Sequence, residues 1–165
     1  MSVHPLTNVP DVALVYPITV RWADMDAYAH VNNVNYLRFF EEARVYAFKD
    51  WFGQDRDLID EGMLVVSQAI DYLLPMGFAY APCRVAVWCS DVGAASFELG
   101  YAVAGAQGDD TVYARGRVTL VSYDLQTERP RRLGAAEREA LSAVLGTGPR
   151  LRSDKRAAAP RAVAG

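Results

Sequence analysis

Only one long stretch of this chain has the three- and four-residue spacing of a helix that faces a core, and almost everything after it is strand. Val34, Leu37, Phe40, Ala43, Ala47, Phe48 and Trp51 form that stripe, which predicts a helix from Asn33 to about Phe52 with Gly53 as its stop. Ahead of it, "ITVRWAD" alternates, with Ile18, Val20 and Trp22 on one face and Thr19, Arg21 and Ala23 on the other, the pattern of a half-buried strand. Behind it come "MLVVSQAIDYLLP" (63–75), a near-continuous apolar run, and "RVAVWCS" (84–90), another strand. In "SFELGYAV" (96–103), Phe97, Leu99, Tyr101 and Val103 are expected inward and Ser96, Glu98, Gly100 and Ala102 outward. "AGAQGDD" reads as a hairpin loop and "TVYARGRVTLVSYD" (111–124) as a long last strand. Residues 135–145 suggest a short closing helix with Leu141, Val144 and Leu145 on one side. Consecutive strands after a single helix favour an antiparallel sheet and an α+β class, with the helix against a curled sheet in one domain over residues 14–145.

Charge is unevenly spread. The net charge is −3, but residues 146–165 hold Arg150, Arg152, Lys155, Arg156 and Arg161 against Asp154. An acidic body argues against nucleic acid as the main partner. The basic tail is rich in Ala, Gly and Pro without apolar periodicity, and its composition predicts disorder. Residues 1–13 read as an extension with neither a basic start nor a long apolar run, so no secretion signal is expected there. With no run of ~20 apolar residues to span a membrane, the expected compartment is the cytoplasm. Cys83 and Cys89 lie an even number of residues apart in a strand, which predicts two buried, reduced thiols on one face. Glu41 and Glu42 are expected at the surface or in ion pairs.

The densest polar cluster lies in "RWADMDAYAHVNN" (21–33), at the junction of strand and helix. A calcium loop counted from Asp24 needs Gly at its sixth position and Glu at its twelfth, where this chain has Ala29 and Asn35. A transition-metal site from Asp24, Asp26 and His30 lacks a second nearby histidine, so no metal is expected. Helix capping by Asn32 or Asn33 accounts for one residue of the group and leaves both aspartates unexplained. A catalytic reading accounts for more. A carboxylate beside a helix N-terminus is favoured in its ionised form, and the free amides of the same turn can stabilise an oxyanion. That pairing suits cleavage of an activated acyl group. No G-x-S-x-G nucleophile elbow offers another route.

"RWADMDAYAHVNNVNYLRFFEEAR" resembles the opening of the hotdog-fold acyl-CoA thioesterases, in the 4-hydroxybenzoyl-CoA thioesterase-like branch. Their pattern is R-[YW]-x-D-x-D-x-x-x-H-V-N-N before a long helix carrying E-E-A-R. The likeness continues weakly through "DYLLPMGF", "GAASFEL" and "LVSYDLQTERPRRL". It implies a hotdog fold: a five-stranded antiparallel sheet wrapped around one long central helix. It also implies subunits joined edge to edge as a homodimer or homotetramer, with the active site at that interface. By the resemblance, Asp26 is the catalytic carboxylate, as nucleophile or as base for water, and the backbone amide near Asn33 polarises the thioester carbonyl. Asp24, His30 and Asn32 would shape the loop and orient water or substrate. Two departures stand out: Ala29 replaces the Gly that many relatives carry, and "GFAYAPC" (77–83) replaces a "GD"-type turn.

The substrate so implied is acyl-CoA or an acyl carrier protein thioester, with coenzyme A entering as part of the substrate and no separate cofactor. Tyr36, Phe39, Phe40, Tyr72 and Trp88 are the candidates for an acyl slot. Arg84, Arg115, Arg117, Arg129, Arg131 and Arg132 are the candidates for the phosphates. Two other functions stay open. One is an enoyl-CoA hydratase of the same fold, whose Asp and His are separated by four residues where Asp26 and His30 are separated by three. The other is a non-catalytic module that holds an acyl chain or CoA.

Overall fold

The computed structural model describes residues 6–53 and 62–157. β1 (Leu14–Ile18) leads through a 3-10 turn (Trp22–Asp24) and a polar loop into the long helix α1 (Asn33–Phe52). Then come β2 (Met63–Tyr72), β3 (Cys83–Val92), β4 (Ser96–Ala104) and β5 (Val112–Asp124). A two-residue β6 (Arg129–Pro130), α2 (Ala135–Ala143) and a single turn and a half, α3 (Arg152–Ala157), complete the order. All pairings are antiparallel and run β1-β3-β4-β5-β2, with β6 joined to β5. The sheet curls round α1 as the hotdog fold requires.

Strand parity sorts the side chains. Cys83, Val85, Val87 and Cys89 of β3, Phe97, Leu99, Tyr101 and Val103 of β4, and Ala114, Val118 and Leu120 of β5 face the helix. They meet Phe39, Phe40, Ala43, Ala47 and Phe48 from α1. Phe40 stacks on Tyr101 with centroids 4.4 Å apart. Gly116 makes that approach possible, since a Cβ there would sit 2.5 Å from the Phe40 ring. Both cysteines are free and buried, and burial pushes each thiol up to about 12. At the far end, α1 stops at Gly53 with φ of 98°.

The structure departs from the sequence reading at Val34, which was expected in the core-facing stripe but lies in the first turn of α1 and is 61% exposed, and in three further places. The first strand ends at Ile18, so Trp22 lies in the 3-10 turn and is 73% exposed. Leu145 does not join the apolar side of α2 but sits exposed in a bridge to Cys89. The largest departure is the tail. Residues 146–157, expected to be disordered, lie across the outer face of the sheet; residues 158–165 fall outside the described residues. That outer face is apolar at Ala86, Trp88, Ala102 and Ala104, and leaving it wet would be costly. Pro149 packs beside Gly100, Leu151 is buried, and Trp88 Nε1 donates to the Thr147 carbonyl at 3.0 Å. Arg117 binds Asp154 at 2.5 Å, and the Arg152 amide donates to Asp71 Oδ2 at 2.6 Å. From the other end of the chain, Leu6 is buried in the same cluster, and Arg115 donates to the Thr7 carbonyl.

The two edges of the sheet differ. β1 is short and carries Pro17, which cannot donate to a further strand. β2 is ten residues long, pairs only with β5 among the described residues, and exposes Leu64, Val65 and Val66.

Candidate active site

Asp24 anchors the junction from beneath. It is fully buried, and four donors converge on it. Oδ2 accepts from the Arg21 amide at 2.7 Å and Arg38 Nη2 at 2.6 Å. Oδ1 accepts from Arg21 Nε at 3.1 Å and Nη2 at 2.7 Å. Burial alone would raise this carboxyl, but the side-chain and backbone hydrogen bonds of Arg21 and the charges of Arg38 and Arg21 outweigh it and hold it below the usual carboxylate range. Its carbonyl accepts from the Asn32 amide at 2.8 Å and Asn35 Nδ2 at 3.0 Å, so the anchor also fixes where the helix begins. Arg38 bridges on to Glu42 one turn later.

Above the anchor the chain folds into a small closed loop. The Asp26 amide donates to the His30 carbonyl at 2.8 Å, and Asp26 Oδ1 accepts from the amides of Tyr28 at 2.8 Å and His30 at 3.2 Å. This side-chain turn is what an aspartate does well in a tight loop. Its other oxygen, Oδ2, has no protein donor among the described residues. Ala29 closes the loop with φ of 60°, a left-handed conformation that a side chain disfavours and a glycine accepts freely. The Val31 amide then donates to the Met76 carbonyl at 2.8 Å, which ties the loop to the segment after β2.

Asn32 is the helix cap: its side chain accepts from the Val34 amide at 3.3 Å. The Asn35 amide turns back to the Asn32 carbonyl. The amide of Asn33, the first residue of α1, has no acceptor among the described residues. Tyr72 OH, from the last residue of β2, donates to the Asn33 carbonyl at 3.0 Å, and its ring meets Tyr36 edge-on at 5.4 Å.

These groups line a cavity of about 330 Å³. Asp26, His30, Asn33, Tyr36 and Tyr72 supply its polar and aromatic wall. Residues 73–75, with Val31, supply an apolar wall that the sequence reading did not assign to the site. The signal for that wall was present in "YLLP", an apolar run that outlasts its strand.

Several candidates fall elsewhere. Asp24 is turned away into its ion pairs and supports the loop from below. Asn32 spends its side-chain oxygen on capping. Phe39 and Phe40 are sealed in the core. Trp88 has the opposite parity and lies on the outer face. Arg84 holds the hairpin at Gly105, Asp109 and Asp110. Arg117 and Arg115 hold the two terminal segments, and Arg131 forms a two-pronged pair with Glu137. The partner that sequence reasoning missed is Arg38, which lies among apolar helix positions and gives no hint of facing Asp24.

Among the described residues no group of three or more His, Cys, Asp or Glu side chains could hold a metal ion, and no helix is long and apolar enough to cross a membrane.

Known proteins share this architecture. The PA5185 protein of Pseudomonas aeruginosa superposes with a TM-score of 0.71 at 28% identity, covering 82% of this chain and 94% of that one. A thioesterase of Thermus thermophilus, solved with coenzyme A and zinc, gives 0.66 at 29% identity over 81% and 94%. A 1,4-dihydroxy-2-naphthoyl-CoA thioesterase of Synechocystis gives 0.66 over 79% and 96%; at 20% identity it shows the fold alone. The uncharacterised protein YsmA of Bacillus subtilis is 31% identical over 94 residues, 56% of this chain and 61% of that relative's length. The model of the thioesterase-like superfamily matches residues 20–164. That match begins just ahead of the aspartate anchor and runs through helix, sheet and outer strap, and on this ground the chain belongs to the thioesterase-like superfamily.

Proposed function

We propose that this protein hydrolyses acyl-CoA thioesters to the free acid and coenzyme A. One observation carries the reading: a carboxylate with an unclaimed oxygen and a helix-start residue with an unclaimed amide line the same cavity, at Asp26 and Asn33. The thioester carbonyl oxygen receives the Asn33 amide, whose donation strengthens as negative charge develops there. Asp26 Oδ2 takes a proton from water as the water oxygen bonds to the carbonyl carbon, or bonds to that carbon itself and is released by water afterwards. In both routes the C–S bond breaks, the thiolate leaves and is protonated, and Oδ1 keeps the loop closed throughout. The apolar wall at residues 73–75 and the rings of Tyr36 and Tyr72 receive the acyl group.

The long apolar edge of β2 supports assembly with a second copy by strand pairing. Antiparallel pairing sets the Met63 end of one β2 beside the Tyr72 end of the other. It thereby carries the end of β5 with Arg129 and Arg132 toward the opposite cavity. Their side chains have no ion-pair partner among the described residues, and they are the arginines proposed to meet the CoA phosphates.

The test is thiol release over a panel of aryl-, short-, medium- and long-chain acyl-CoAs and the matching acyl carrier protein thioesters. Asp26→Ala is expected to lower kcat by ~10²-fold or more with the fold intact. Absence of thiol release by the wild type over the whole panel, or water addition to an enoyl-CoA without thiol release, overturns the reading.

A further inference from the structure

We infer that the Tyr72 hydroxyl is a positioning group: it holds the Asn33–Val34 peptide by its carbonyl and so steadies Asn33, whose own amide, in the preceding peptide, lies free at the cavity; the inference rests on the thioesterase reading above. Asn33 is exposed, and its two peptides are held locally, the Asn32 carbonyl accepting from the Asn35 amide at 2.9 Å and the Val34 amide donating to the Asn32 side chain at 3.3 Å. Asn32 caps Val34, and Asn35 reaches the Asp24 carbonyl. Among the described residues, Tyr72 is the only side chain that donates to the Asn33 carbonyl, at 3.0 Å, and its bond ties that peptide to the sheet edge.

The bond does not rescue an orphan. A carbonyl at that position of a helix already has an acceptor role toward the following turn, so the second donor acts as a tether. The ring has little freedom to release it. It ends β2, in register with Ala114, and stands edge-on to Tyr36, which is itself buried against Phe39 at 5.8 Å. The tether therefore joins the sheet edge to the first turn of α1. It also commits the hydroxyl hydrogen to the backbone, which leaves the ring rather than the O–H to meet substrate.

A donor that matters for developing charge acts on kcat, whereas a contact shared by ground and transition state acts on KM. Tyr72→Phe removes one oxygen and keeps the ring. On the acyl-CoA that the wild type cleaves fastest, kcat is expected to fall roughly three- to tenfold, the effect of losing one neutral hydrogen bond, with KM within about twofold. The backbone order parameter of the Asn33 amide, read by nitrogen-15 relaxation, is expected to drop in the variant. Tyr80→Phe, at a residue that is 96% exposed, should leave both readouts unchanged. Unchanged kcat, an unchanged order parameter, or a rise in KM at constant kcat overturns the inference. A wild type inactive on the whole panel overturns the thioesterase reading instead, and the order parameter alone then decides the tether.

Discussion

Asp24→Asn separates support from chemistry at the polar junction. The side chain is fully buried, while its partners Arg21 and Arg38 are 58% and 23% exposed. Removing one member of a buried pair costs ~3–5 kcal/mol, whereas an exposed pair is worth about 0–1 kcal/mol. The Arg38 arm belongs to the first class and the Arg21 side-chain arm to the second. Asparagine keeps the shape but turns an amide hydrogen toward donors. The expected loss is therefore about 3 kcal/mol, or a fall in Tm of roughly 6–12 °C for a chain of this size. Thermal and urea unfolding followed by circular dichroism measure it. The pH dependence gives a second handle. Because the Asp24 carboxyl lies below its unfolded value, its stabilisation is present above pH ~4 and is lost as pH falls through the folded value. The gap between wild type and variant should thus narrow below about pH 4. Folded variant held at low temperature should keep its thiol-release rate within a few-fold. A stability change under ~0.5 kcal/mol, or a well-folded variant with activity reduced a hundredfold, would refute a supporting role for Asp24.

Two further outcomes follow from the backbone and the outer strap. Ala29→Gly relieves a left-handed alanine at φ of 60°, less the extra chain entropy of glycine, and should raise stability by ~0.5 kcal/mol in urea unfolding; a decrease would show that the loop is unstrained. Leu151→Ala removes a side chain 3% exposed under the terminal strap and should cost about 2 kcal/mol and speed protease cleavage within residues 146–157; no change would mean that the strap does not hold in solution.

The helix and β4 were legible because each carries its own period, and β2 and β3 because they are apolar runs bounded by loop residues. The stripe from Leu37 to Trp51 faces the core along α1, with Val34 alone left outside it, and Phe97 to Val103 alternates as β4 does. The polar junction was legible from its composition, and Asp26, His30, Asn33, Tyr36 and Tyr72 do share a cavity. What failed depends on parity and partners, which sequence order does not encode. Trp88 and Cys89 are adjacent and both buried, so no alternation tells which one faces the helix. Arg84, Arg115 and Arg117 look available until the hairpin and both terminal segments claim them. The strap escaped because it is held by scattered contacts at Thr147, Pro149, Leu151 and Asp154 rather than by a repeating stripe. Trp22 misled because its alternation runs four residues past the last strand residue, Ile18.

With segments from both ends of the chain laid across Trp88 and its neighbours, the convex back of the molecule is already occupied. A second molecule could reach Trp88 itself only by displacing that covering. On the opposite side of the molecule Val34, Val45 and Tyr46 break the polar surface of the central helix and carry no such covering among the described residues.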